Sequence, residues 1–155
     1  MRSDSKSTMA TMTGGGFDDA VEAFRRAQAA FVQGDPKPVT ELFSRRDDVT
    51  LANPLLPPQV GPVAVGKAAA AAAAQIRDGA MRGYDEVSRY STADLGYVVQ
   101  IERAQARFGG SEDMALVALR VTLIFRREGD AWKIVHRHAD PITTPQPIST
   151  LLETN

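Results

Sequence analysis

Residues 115–140 read ALVALRVTLIFRREGDAWKIVHRHAD: two apolar-rich runs joined by the charged turn Glu128-Gly129-Asp130. Alternation on both sides of a Gly-Asp turn predicts a long antiparallel β-hairpin. With Gly129 and Asp130 as the turn, Arg126 faces Lys133, Ile124 faces Val135, Thr122 faces Arg137 and Arg120 faces Ala139. That face is largely polar. The opposite face carries Val121, Leu123, Phe125, Trp132, Ile134, His136 and His138. Which of the two looks inward decides what a site in this molecule can contain. Composition alone puts the apolar face in the core.

Upstream of the hairpin, residues 84–90 and 95–108 read as further strands, with Tyr97, Val99 and Ile101 on one face of the second. Gly109 to Asp113 is a loop. Nearer the N-terminus the period changes to that of helices. Val21, Phe24, Ala27, Ala30 and Phe31 form one stripe of a helix capped by Asp18 or Asp19 and running to about Gln33. Gly34-Asp35-Pro36 stops it. A short helix over 37–44 turns Val39, Leu42 and Phe43 inward. Residues 49–53 read as a strand with Val49, Leu51 and Asn53 on one face. Residues 54–66, with four prolines and two glycines, read as an irregular loop. The seven consecutive alanines that follow predict a helix over 67–78 with a smooth surface. Helices followed by a meander of long antiparallel strands define an α+β domain: a strongly curved antiparallel sheet wrapped around N-terminal helices, with a concave space between.

The chain has 155 residues, 43% hydrophobic, with a net charge of −1 and no cysteine, which fits one domain with a real core. The charge argues against a nucleic-acid footprint. The lack of cysteine excludes disulfides, thiolate metal sites and cysteine nucleophiles. No segment is long and apolar enough to span a bilayer, so no membrane partner is expected. The expected organisation is a disordered leader over 1–16, a domain over 17–141 and an extended tail over 142–155. The expected location is cytoplasmic.

Three stretches resemble one superfamily. Phe31-Val32-Gln33-Gly34-Asp35 with Leu42-Phe43 is similar to its first two helices, and Asp47 to Pro54 to its first strand. Phe125-Arg126-Arg127 with Trp132 to His138 is similar to its last hairpin. The superfamily is the α+β cone of nuclear transport factor two, ketosteroid isomerase and SnoaL-like polyketide cyclases. The last hairpin also resembles the association domain of calcium/calmodulin-dependent kinase two. The resemblance covers about residues 17–141.

It implies a fold more firmly than an activity. Asn53 stands where the isomerase resemblance implies a proton-shuttling Asp, and an amide cannot accept and return a proton. Ala27 and Thr122 stand where the oxyanion Tyr and Asp are implied, so steroid isomerisation by that mechanism is not expected. The resemblance also implies that Thr122, Val135, Arg137 and Ala139 line the cavity. This opposes the compositional reading, and it is the expectation carried forward. The candidate ligand-binding residues are Asn53, Tyr97, Arg120, Thr122 and Arg137. An enclosed arginine suggests a carboxylate ligand.

Plainer roles stand beside these. Asn53 before Pro54 serves equally well as a turn residue. Tyr97 and Trp132 read as packing residues. Glu102 and Arg103 point to opposite faces of their strand; one can pair with a charge on a neighbouring strand, and a solvated or interface ion pair is the plainer role. His136 and His138 have a spacing that can bind zinc, but no further ligand is evident, and packing in a sheet or interface is the simpler role. Catalytic residues stay open: an enzyme acting on a small organic substrate would use cavity polar groups such as Asn53, Thr122 and Arg137, and no metal or cofactor is expected. The expected function is a small-molecule pocket of unassigned chemistry in a homodimer formed through the sheet face bearing Trp132, Ile134 and His136. The alternative is a non-catalytic assembly module.

Overall fold

The computed structural model describes residues 15–153. The expected leader therefore lies outside the described residues, except for Gly15 and Gly16. Helix α1 (Phe17–Phe31) buries Val21, Phe24, Ala27 and Gln28 along one face. Its cap is Gly16 rather than an aspartate, and Asp19 accepts the Gly16 N–H at 3.3 Å. Gly34, at φ +99°, ends the helical segment in a conformation glycine tolerates best. Helix α2 (Lys37–Leu42) follows.

Strands β1 (Thr50–Ala52) and β2 (Gln59–Val60) pair antiparallel, and helix α3 comes next (Pro62–Ala73). Helix α3 starts five residues before the expected 67, inside the proline-rich stretch. Pro62 is helical there because a first-turn proline has no N–H to lose. The helix stops at Ala73 and the chain turns into strand β3 (Ile76–Ser91), eight residues earlier than expected. Three register shifts bend β3 against its neighbour. Gly79 lies so near the end of α1 that a Cβ there would run into the Val32 carbonyl.

Strands β4 (Leu95–Phe108), β5 (Met114–Glu128) and β6 (Ala131–Asp140) complete a six-stranded, curved and unclosed sheet of order β2-β1-β6-β5-β4-β3. The short β1 adds parallel to β6, placing Thr50, Leu51 and Ala52 beside His136, Arg137 and His138. The helices fill the concave side. The core there holds Phe24, Val98, Val121, Leu123, Phe125 and Ile134. Phe17 packs edge-on to Phe125 and Trp132, with ring centroids 5.4 and 5.5 Å apart. Arg126 ties the hairpin end to the turn before β1, bonding both Asp48 and Glu128. After β6 the tail contains one 3-10 turn, Ile148–Leu151.

The β5–β6 register begins as expected, with Arg126 opposite Lys133, and then shifts. Phe125 pairs with Ile134 but Ile124 pairs with His136, so Val135 is the extra residue of a β-bulge. Beyond it Thr122 meets His138, Leu123 meets Arg137 and Arg120 meets Asp140. A one-residue slip exchanges the faces of a strand. Trp132 and Ile134 therefore point inward before the bulge, and Arg137 and Ala139 point inward after it. Both readings of the hairpin were half right: the apolar face is inner near the turn, and the Arg137 face is inner beyond it.

This corrects several expectations. Thr122 lies on the outer face, since its inner-facing neighbours Val121 and Leu123 are fully buried. Arg120 is exposed on the same outer side, and so is Tyr97. Trp132 and Ile134 are core residues and cannot drive association through the sheet.

Candidate functional site

Between the concave sheet and the helices lies a cavity of about 290 Å3. Each wall comes from a different element. The end of α1 supplies Phe31, and the chain after α2 supplies Phe43. Ala69 and Ala72 of α3 form a smooth side, which is what the alanine run contributes. Strand β1 and the turn after it add Leu51, Asn53 and Leu55. Phe108, Val117 and Leu119 close the sheet side, and Arg137 and Ala139 come from β6. Four polar side chains reach this otherwise apolar surface: Gln28, Asn53, Gln75 and Arg137.

Arg137 enters the cavity already paired. Its Nη1 and Nη2 donate to Glu102 Oε2 and Oε1 at 3.0 and 2.9 Å. The same carboxylate accepts Gln28 Nε2 on Oε1 at 3.1 Å and Gln100 Nε2 on Oε2 at 3.0 Å. All four carboxylate acceptor positions are thus used. Glu102 is 3% exposed and Gln100 fully buried. Arg25 carries the network outward, donating to Gln100 Oε1 at 2.6 Å and to Glu86 at 2.9 Å. Arg137 also lies over the Phe24 ring, 5.5 Å from its centroid. Beside this network, burial and then the negative charge of Glu102 push the Tyr84 phenol well above its ordinary value.

Of the two roles expected for Glu102, the solvated or interface one is thereby corrected: the residue is buried and pairs with a charge on another strand. The signal lay in the strand parity. Gly96, Val98, Gln100, Glu102 and Ala104 share the buried face of β4, whereas Tyr97, Val99 and Ile101 share the outer one. A reading that puts the aromatic and β-branched set inward places Glu102 outside.

Of the five candidate residues, the structure brings Asn53 and Arg137 to the cavity. Asn53 also shapes its turn, its Oδ1 accepting the N–H groups of Leu55 and Leu56 at 2.9 and 3.1 Å. Tyr97, Arg120 and Thr122 lie across the sheet. Arg120 is bound to Asp140 through Nε and Nη2. Ala27, where the resemblance implied an oxyanion tyrosine, is packed in the core.

The two histidines lie on the outer face. His136 Nδ1 meets the Thr50 hydroxyl at 2.7 Å, and His138 Nε2 meets Asp140 Oδ2 at 2.8 Å. Burial, then the neighbouring His138 charge, lowers the His136 pKa. Burial opposes ionisation of Asp140, but hydrogen bonds from Arg120, the Ile142 N–H and His138 outweigh it and hold this carboxyl at about 2. Among the described residues no group of three or more His, Cys, Asp or Glu could hold a metal ion. Among them, too, no helix is long and apolar enough to cross a membrane.

A curved sheet over three helices with a ligand-sized hollow defines an α+β cone. The SnoaL-like domain model matches residues 20–143, and the chain belongs to that family. Several solved structures share the fold. A protein of Thiobacillus denitrificans, provisionally assigned as a calcium/calmodulin-dependent protein kinase type II association domain, is 25% identical at TM-score 0.62; the match covers 84% of this chain and 98% of that one. A protein of Streptomyces avermitilis, provisionally assigned as a dehydratase of the NTF2-like family, is 21% identical at TM-score 0.64, over 82% and 99%. A ketosteroid isomerase-like protein of Erwinia carotovora atroseptica is 17% identical at TM-score 0.67, over 82% and 94%. No curated protein matches the chain.

Proposed function

We propose that this SnoaL-like chain holds a small, mainly apolar organic molecule in the cone cavity. The observation that carries the reading is the cavity itself: about 290 Å3, walled by aromatic, aliphatic and alanine side chains, with four polar groups reaching it. Ligand pockets combine these features, and this one stands at the small end of their usual range of about 300–1,000 Å3.

The reading is one of binding rather than of acid–base turnover. Among the described residues, no Asp, Glu, His, Lys, Tyr, Cys or Ser lines the cavity. Glu102 stands behind Arg137 with every acceptor position taken by a protein donor, so none is left to meet a substrate proton. Dehydration, to which the Streptomyces relative is assigned, needs a donor for the departing hydroxyl and a base for the proton. The carboxylate ligand suggested by an enclosed arginine loses its support, because Glu102 already meets that charge.

Ligand-observed NMR with a library of small aromatic and alicyclic molecules tests the proposal. Binders that compete with one another and perturb amides of α3 and β6 are expected. Absence of any cavity binder at millimolar concentration contradicts it. Incubation with enolisable ketones and secondary alcohols should give no turnover above buffer.

A second reading, association of two copies, rests on the outer sheet face. The Tyr90 and Tyr97 rings meet there at a tilt of 41° with centroids 6.3 Å apart, and Leu95 and Leu116 are exposed on the same sheet. Clustered exposed apolar groups of this kind mark interaction surfaces. Light scattering at micromolar concentration should give a dimer mass; a monomer mass contradicts it.

A further inference from the structure

We infer that Glu102 is a specificity-determining residue that makes the cavity reject carboxylates and accept neutral polar molecules. This rests on the small-molecule reading above and goes beyond it to the charge of the ligand.

The argument is one of charge balance. Among the described residues, Arg137 brings the only ionic group to the cavity lining. Unpaired, it would attract an anion strongly, since a guanidinium in an apolar enclosure matches a carboxylate in both charge and geometry. Here the match is already made from inside the protein, at 2.9 and 3.0 Å, by a carboxylate that is 3% exposed. The pair is neutral as a unit. An anionic ligand would add a second negative charge beside Glu102 and give up its own hydration in an apolar space, which disfavours its entry. Displacing Glu102 from Arg137 would leave that carboxylate buried with only two amide donors.

Hydrogen-bonding capacity nevertheless remains. The Arg137 Nε–H and the Asn53 Nδ2 hydrogens have no protein acceptor among the described residues. Gln28 gives its N–H to Glu102, and its Oε1 accepts from no protein donor among the described residues. Two donors and one acceptor around an apolar hollow fit the end of a primary carboxamide: a carbonyl oxygen for Arg137 and Asn53, an N–H for Gln28. A carboxylate of the same shape satisfies the first two and meets the Gln28 oxygen with another acceptor.

Matched pairs of the same skeleton separate the two chemistries. The probes are benzamide and benzoate, cyclohexanecarboxamide and cyclohexanecarboxylate, and naphthalene-2-carboxamide and naphthalene-2-carboxylate, measured at pH 7.5 by isothermal titration calorimetry. The wild-type protein is expected to bind the amide at least tenfold more tightly in every pair that binds at all. E102Q, which frees the Arg137 charge, is expected to reverse the order, and its melting temperature to rise with carboxylate. The doubly neutral variant E102Q/R137Q should keep the amide preference. Should E102Q not fold, the wild-type comparison still decides the matter. Equal or tighter carboxylate binding by the wild type overturns the role of Glu102 and leaves the cavity reading standing. Failure of all six probes to bind any folded form overturns both.

Discussion

The Arg137 guanidinium grips both oxygens of the Glu102 carboxylate, at 3.0 and 2.9 Å, on the inner side of the sheet. The two residues come from strands that are not neighbours: β5 lies between β4 and β6, and Leu119 is the β5 residue directly opposite Glu102. The pair therefore spans a strand, and the two amides of Gln28 and Gln100 hold the carboxylate in place.

Breaking this pair from one side should cost more than removing it. R137L leaves a buried charge with two amide donors, and a loss of about 3–5 kcal/mol in urea unfolding is expected. E102L/R137L should recover at least half of that loss, because no isolated charge remains. Equal destabilisation by the single and double variants would show that the pair does not act as a unit.

The alanine wall of α3 sets the room for a ligand. Ala72 lines the cavity, so A72L should fill part of it. Ligand affinity is expected to fall at least tenfold while the unfolding free energy changes by less than about 1.5 kcal/mol, since the added methylenes enter space rather than packed atoms. Unchanged affinity in A72L would move the binding site elsewhere.

The Asp140 cluster should appear in acid unfolding. Its carboxyl is held at about 2 against an ordinary 3.8. The folded value lies below the unfolded one, so the ionised form adds stability that is complete above about pH 5 and fades as pH falls through 3.8 towards 2. D140N lacks this contribution. The stability difference between wild type and D140N should shrink across that window, as measured by urea midpoints at a series of pH values. A constant difference would contradict the assignment.

Association through the outer face should depend on both Tyr97 and pH. Y97E places a charge in the middle of the exposed patch, and a dimer dissociation constant raised at least tenfold is expected by analytical ultracentrifugation. The pKa of His136 is lowered in the folded chain, so the unfolded chain binds its proton first, and native stability falls as pH drops below 6.5. Covering His136 at an interface extends the same sign to the dimer, which should dissociate more readily at pH 5.5 than at 7.5. Insensitivity to both changes would remove the outer face from assembly.

The α+β class, the α1 stripe, the Gly34 stop and the β5–β6 turn were legible because each rests on local periodicity or turn chemistry. The bulge at Val135 was not. No glycine marks it, and β1 pairing with β6 on one side while β5 shifts on the other is a non-local arrangement. That single residue decided the site: it brought Arg137 inward and left Thr122 and Arg120 outside. Tyr97 was misplaced for a related reason. Its strand has a polar inner face, with Gln100 and Glu102 buried, which reverses the rule that aromatic residues mark the core. Of the four residues the resemblance placed at the cavity, Arg137 and Ala139 reach it and Thr122 and Val135 do not, and it gave no hint of the partner that neutralises the arginine.

A crystal structure of the protein soaked with naphthalene-2-carboxamide tests the central claim most directly. The ligand should lie in the hollow between α3 and β6, its carbonyl oxygen within hydrogen-bond reach of Arg137 or Asn53, with the Glu102–Arg137 pair intact. An interior packed solid, or a ligand found only on the outer face of the sheet, would contradict it.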